Sequence, residues 1–153
     1  MFKHMKKWKL TGNIGVGVIS GITALTMAGV AMQLGYSSFK AKAEKQLHIL
    51  NSIRFATIIQ IGLEEGWVNK PDLNDSSTIT LSDVDSEYNL SSSLKNPSLN
   101  TQNYDTDSYI KIENNNGKTI FFCSLMEENT DHTYTDNNIE VHNLAIENIQ
   151  LNI

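Results

Sequence analysis

The residues with chemistry to offer are four histidines, one cysteine and two oxygen-rich turns. His4, His48, His132 and His142 are scattered along 153 residues, and none stands at a metal-ligand spacing. His48 falls in a helical pattern and His142 in a strand-like one, and both read as ordinary surface or boundary residues. Cys123 is alone, which excludes an internal disulfide and a cysteine-based zinc site. Within a strand-like run it reads as a small core hydrophobe rather than a reactive thiol. "NYDTD" (103–107) and "DLND" (72–75) bring oxygens together as a calcium loop would, yet neither follows the twelve-residue pattern with a central glycine and a closing glutamate. Both read as solvated turns. No glycine-rich phosphate loop follows a strand, and no serine sits at a nucleophile-elbow spacing. No catalytic residue, cofactor or metal site is therefore expected. Tyr88, Tyr104 and Tyr134 are candidate binding aromatics, whereas Trp67 reads as a lid over the core at a helix end.

The elements that would position these groups follow from charge and periodicity. Residues 1–54 hold eight Lys/Arg against one acid, and residues 55–153 hold four against sixteen. A basic first part and an acidic remainder suggest a membrane-proximal half and a solvated half. So acidic a domain would repel phosphate backbones, so nucleic acid is not an expected partner.

Lys3, Lys6, Lys7 and Lys9 precede an uncharged run from Ile14 to Leu34. As a helix its 21 residues span about 31 Å, close to the ~30 Å of a bilayer's hydrocarbon. The run is long for a signal peptide, although Gly29 and Ala31 form a small-x-small pair that a signal peptidase could use. The lysine cluster places the N-terminus in the cytoplasm and the rest outside. Trp8, beside these lysines, reads as an interfacial anchor. The run is rich in small residues, including Gly17, Gly21 and Ala24, which let helices approach closely in lipid.

"SSFKAKAEKQLHILNSIRFATIIQIGLEEGW" (37–67) continues without proline, and without glycine before Gly62. Leu47, Leu50, Arg54, Ile58 and Ile61 fall on one stripe that Ile49, Ile53, Ala56 and Ile59 widen, while Lys42, Lys45, Gln46 and Asn51 form the polar face. Gly66 reads as a left-handed cap. A single helix from Ile14 to Glu65 would be roughly 78 Å long.

Residues 67–106 read as an irregular connection punctuated by Pro71 and Pro97. Within it "STITL" (77–81) could be a short strand, or "TLSDV" could open a helical turn with Ser82 capping "DVDSEY". Tyr109–Ile112 and Thr119–Cys123 are strand-like and flank Asn116-Gly117, a hairpin turn signal. "NIEVHNLAIENIQLNI" (138–153) alternates with two shifts of phase, near His142-Asn143 and Glu147-Asn148. The expected fold is α+β: a long N-terminal helix, its first half in the membrane, packed on a small antiparallel sheet. Its parts are a basic leader (1–12), a transmembrane helix (13–35), an amphipathic continuation (36–66), a connecting loop (67–106) and a β-meander (107–153).

A basic leader, an apolar stem, an amphipathic continuation, an irregular loop and a C-terminal meander together resemble type IV pilins and pseudopilins, with minor and competence pilins the nearer comparison. "LSDVDSEYNLSSSLKNPSLNTQNYDTDSYIKI" (81–112) is similar to the segment before the sheet in several such chains. The resemblance implies a leader cut after a glycine and stems that pack into a filament core. Lys9-Leu10-Thr11-Gly12 would be the matching site, with Asn13 as the new N-terminus. The chain departs from the family in having Asn13 first, Gly17 where a glutamate is usual, no mid-stem proline and no paired cysteines. It therefore looks like a divergent or minor member. The expected function is that of a structural, non-enzymatic filament subunit whose partners are the membrane and copies of itself or related subunits, Gly17, Gly21 and Ala24 serving helix packing. The alternative is a single-pass anchored domain that binds or senses a ligand outside the cell.

Overall fold

The computed structural model describes residues 36–99 and 103–152. The chain divides into two units, Met1–Ala43 and Glu44–Ile153, and all packing described below lies within the second. Helix α1 spans Tyr36–Glu65, Tyr36 being the first described residue. Its stop is local. Gly66 takes φ +81°, and the N–H groups of Gly66, Trp67 and Val68 all donate to the Gly62 carbonyl at 2.9, 3.0 and 3.1 Å. This closes the last turn as a left-handed glycine cap does. The same tight wrap requires Gly62 itself. A Cβ there would lie 2.6 Å from both the Trp67 ring and a Val68 methyl.

After the helix the chain enters β1 (Ser76–Thr80), and Thr80 then starts α2 (Leu81–Tyr88). The two alternatives for residues 77–88 thus occur in succession, with Thr80 rather than Ser82 as the cap. Asp83 N–H donates to Thr80 Oγ1 at 3.3 Å and Thr80 N–H donates to the Asp83 carboxylate at 2.9 Å, a reciprocal capping box. Asn89, at φ 48°, breaks the chain between α2 and the one-turn α3 (Leu90–Ser93). The stretch read as an irregular connection therefore carries a strand, two helices and the 3-10 turn Pro97–Leu99.

Strands β2 (Tyr109–Asn115) and β3 (Lys118–Ser124) form the expected hairpin, Asn115 pairing with Lys118 across Asn116 and Gly117 at φ 50° and 88°. Two positive φ values match the right-handed strand twist. Strand β1 pairs antiparallel with β2, Thr80 opposite Tyr109, giving the order β1-β2-β3. Beyond Ser124 the expected meander does not continue. Residues 139–152 form 3-10 turns at Val141–Asn143 and Ile146–Asn148, where the alternation shifts phase, and join the rest by single bridges, Phe122 to Glu140 and Thr135 to Ile149. Asn148 Oδ1 takes the Ala145 N–H at 2.8 Å, so a side chain replaces the ladder partner a strand would need.

The core gathers Phe55, Ala56 and Ile59 of α1, Leu81 and Val84 of α2, Ile110 and Ile112 of β2, and Cys123 of β3. Sheet and helix thus share one apolar interior, as α+β layering requires. Of the expected stripe only Ala56 and Ile59 are buried, so the buried face of α1 is turned from it. His48, Asn51, Ser52, Phe55, Ala56 and Ile59 are buried, whereas Ile53 is 38% exposed and Leu47, Leu50, Arg54, Ile58 and Ile61 are only half-buried. Asn51, assigned to the polar face, points inward.

Candidate functional site

Three polar residues on the core face of α1 need partners, since a buried polar group without one costs roughly 1–3 kcal/mol. The segment after α3 supplies most of them. Asn51 Nδ2 donates to the Lys95 carbonyl and to the Tyr104 hydroxyl, both at 3.0 Å. Tyr104 lies 2.8 Å from His48 Nδ1, and His48 Nε2 lies 3.1 Å from Ser98 Oγ. Asn96 Nδ2 donates to the Tyr134 hydroxyl at 3.0 Å while its Oδ1 takes the Ser98 N–H at 3.0 Å. Ser52 turns its hydroxyl back to the His48 carbonyl. Rings fill the space between. Tyr134 stacks on His48 with centroids 4.1 Å apart, and His132 stands edge-on to Tyr134 at 4.8 Å.

Serine, imidazole and hydroxyl in line have the outline of a nucleophile, a base and its orienting group. The proton inventory runs the other way. Asn51 Nδ2 can only donate to Tyr104, and among the described residues His48 Nδ1 is the acceptor left within reach of the phenol's own proton. The ring proton then sits on Nε2 and points at Ser98, a tautomer assigned from the donors and acceptors within reach. An imidazole that donates to a serine cannot remove the serine's proton. Burial, and secondarily the nearby His132, pull the His48 pKa down to about 3, so it is a poor base as well. Burial likewise pushes the Tyr104 phenol up and the Cys123 thiol up to about 12. What this arrangement does is fasten Lys95, Ser98 and Tyr104 to α1, the last two through a neutral, fully engaged imidazole.

The other candidates are engaged in local structure. His142 is exposed and lies 3.1 Å from Glu140. Cys123 is fully buried in β3. In "NYDTD", Asp105 Oδ1 takes the Asp107 N–H at 2.8 Å, and in "DLND" Asp75 Oδ1 takes the Ser76 N–H at 2.8 Å, so both carboxylates cap their own turns. Among the described residues no three His, Cys, Asp or Glu side chains converge as a metal site would need. An open groove of about 310 Å³ between residues 74–76 and 113–115 is lined by polar groups, and its Glu113 is paired with Lys111 at 2.7 Å. Trp67 is 37% exposed and packs on Tyr88. His4, Gly12, Asn13, Gly17, Gly21 and Ala24 lie outside the described residues, and among the described ones no helix is long and apolar enough to cross a membrane.

No family model, curated protein or solved structure matches the chain. The fastening of α1 to Lys95, Ser98 and Tyr104 is not legible in the sequence. Its one local signal is that His48, Asn51 and Ser52 precede Phe55 and Ile59 at helical spacing, on the same face.

Proposed function

We propose that the chain is a non-enzymatic structural subunit of a pilus-like filament or secretion pseudopilus, anchored in the membrane and assembling through its N-terminal helix. One observation carries this reading. Helix α1 runs unbroken from Tyr36 to Glu65, and while one side of it is sealed in the core, Leu47, Leu50, Ile53 and Ile61 leave apolar surface on the rest of it. A helix apolar on more than one side belongs among other helices. The uncharged run Ile14–Leu34, directly upstream, supplies length and composition for a membrane stem, with Gly17, Gly21 and Ala24 as close-approach positions. An anchored binding domain would more commonly follow its span with flexible linker composition, which residues 36–65 lack.

The test is in-membrane cross-linking of the full chain. Wild type should give a ladder of oligomers. Gly21→Leu and Ile53→Asp should each remain membrane-inserted while losing the ladder. A wild type that stays monomeric would instead favour the anchored binding or sensing domain. N-terminal sequencing of the mature protein reports separately on cleavage between Gly12 and Asn13.

A further inference from the structure

The His48 cluster is assembled for a neutral ring only. Both ring nitrogens are met by hydroxyls, Tyr104 at 2.8 Å and Ser98 at 3.1 Å, and neither by a carboxylate. The ring is fully buried, with Tyr134 stacked on one face. A second proton would meet the Tyr104 hydroxyl, which already points its hydrogen at Nδ1. The charge would also have no water around it. Titratable and charged groups approach from several directions without relieving this. On α1 itself, Arg54 donates to Asn51 Oδ1 at 3.4 Å. Lys95, on the segment after α3, donates to Asn103. Buried Cys123 belongs to β3. From the chain after β3 come Tyr134, His132 and Glu127, the last bonded to Thr130 and Asn152.

The least costly way to hydrate the ring is through its thinnest cover. Ser98 is half-exposed and sits in the turn Pro97–Leu99. Among the described residues, that turn is tied to the rest by Asn51 to the Lys95 carbonyl, the bridge and side-chain bond of Lys95 to Asn103, Asn96 to Tyr134, and Ser98 to His48 and Tyr134. We propose that His48 is an acid-sensitive latch whose protonation lifts the Lys95–Ser98 turn off helix α1 while the helix–sheet core stays folded. The sign follows from proton binding. The closed state takes up a proton only near pH 3, whereas the opened, hydrated ring takes it up near 6.5. Opening is therefore unaffected above pH 6.5 and favoured progressively below it, by about tenfold per pH unit.

Hydrogen exchange of the full chain in mild detergent, corrected for intrinsic rates, tests this. Between pH 7.5 and 4.5 the peptide containing residues 94–98 should gain about 100-fold in opening, while β2 and β3 peptides keep their protection. His48→Gln should flatten the profile and His132→Gln should leave it in place. Sheet peptides opening in parallel with the turn, an unchanged profile in His48→Gln, or a profile lost in His132→Gln would overturn the latch. If His48→Gln does not fold, the wild-type imidazole titration followed by NMR decides: a ring titrating near 6.5 in the folded protein refutes the proposal, and a strongly depressed value together with selective opening of the turn supports it.

Discussion

Replacing Tyr104 with phenylalanine removes one oxygen atom and disturbs two buried groups. Asn51 keeps the Lys95 carbonyl as an acceptor, but His48 Nδ1 loses the donor that meets it. An orphaned buried acceptor costs roughly 1–3 kcal/mol, and the lost Asn51 bond about 1 more, for a total of about 2–4 kcal/mol. The unit Glu44–Ile153 spans 110 residues, so its unfolding entropy near 60 °C is about 0.23 kcal/mol/K, and the midpoint should fall by roughly 9–17 °C. Thermal melting of the full-length protein followed by circular dichroism reads this directly. The partner experiment is the double variant Tyr104→Phe/His48→Leu. Removing both members of a buried pair leaves fewer orphans than removing one, so the double variant should cost less than the sum of the singles by about 1–3 kcal/mol. A Tyr104→Phe protein within about 0.5 kcal/mol of wild type, or singles that simply add, would show that the hydroxyl is not the centre of the network.

Two further outcomes follow from the packing of α1. Phe55 is fully buried and Ile53 is 38% exposed, so Phe55→Ala should cost about 3–5 kcal/mol in urea unfolding while Ile53→Ala costs under ~1; equal effects would mean the helix is rotated from the orientation described. Gly62→Ala places a methyl 2.6 Å from the Trp67 ring and Val68, and should cost about 1–3 kcal/mol with a shift in tryptophan emission; an unchanged spectrum and melt would show that Trp67 does not rest on Gly62.

The end of α1 was legible because it is local. The absence of proline, the late first glycine and Gly66 just past the end are all read within one turn of where they act. The hairpin was legible for the same reason, Asn116-Gly117 tolerating the two positive φ values it needs. The rotation of α1 was not legible. Ranking residues by hydrophobicity turns Asn51 outward and leaves His48 at a boundary, and the groups that reverse this, Lys95, Ser98 and Tyr104, stand 44 to 56 residues away. A buried polar face becomes visible only with its partners. Residues 139–152 failed in the opposite sense. Their alternation is real, and it buries Val141 and Ile149, but Asn148 and the 3-10 turns meet part of the backbone locally, and the pairing made is reduced to single bridges to Phe122 and Thr135.

Among the described residues the order β1-β2-β3 leaves two outer strands, and each bears on how copies of this chain could meet. Four of the five residues of β1 carry hydroxyls, Ser76 and Thr78 are exposed, and the strand ends directly in a helix. So short and polar a border is a poor template for a neighbour's backbone. Along β3, Phe122 is already bridged by Glu140 from the same chain, which occupies part of the other border. Edge-to-edge strand pairing between copies is thereby discouraged at both margins.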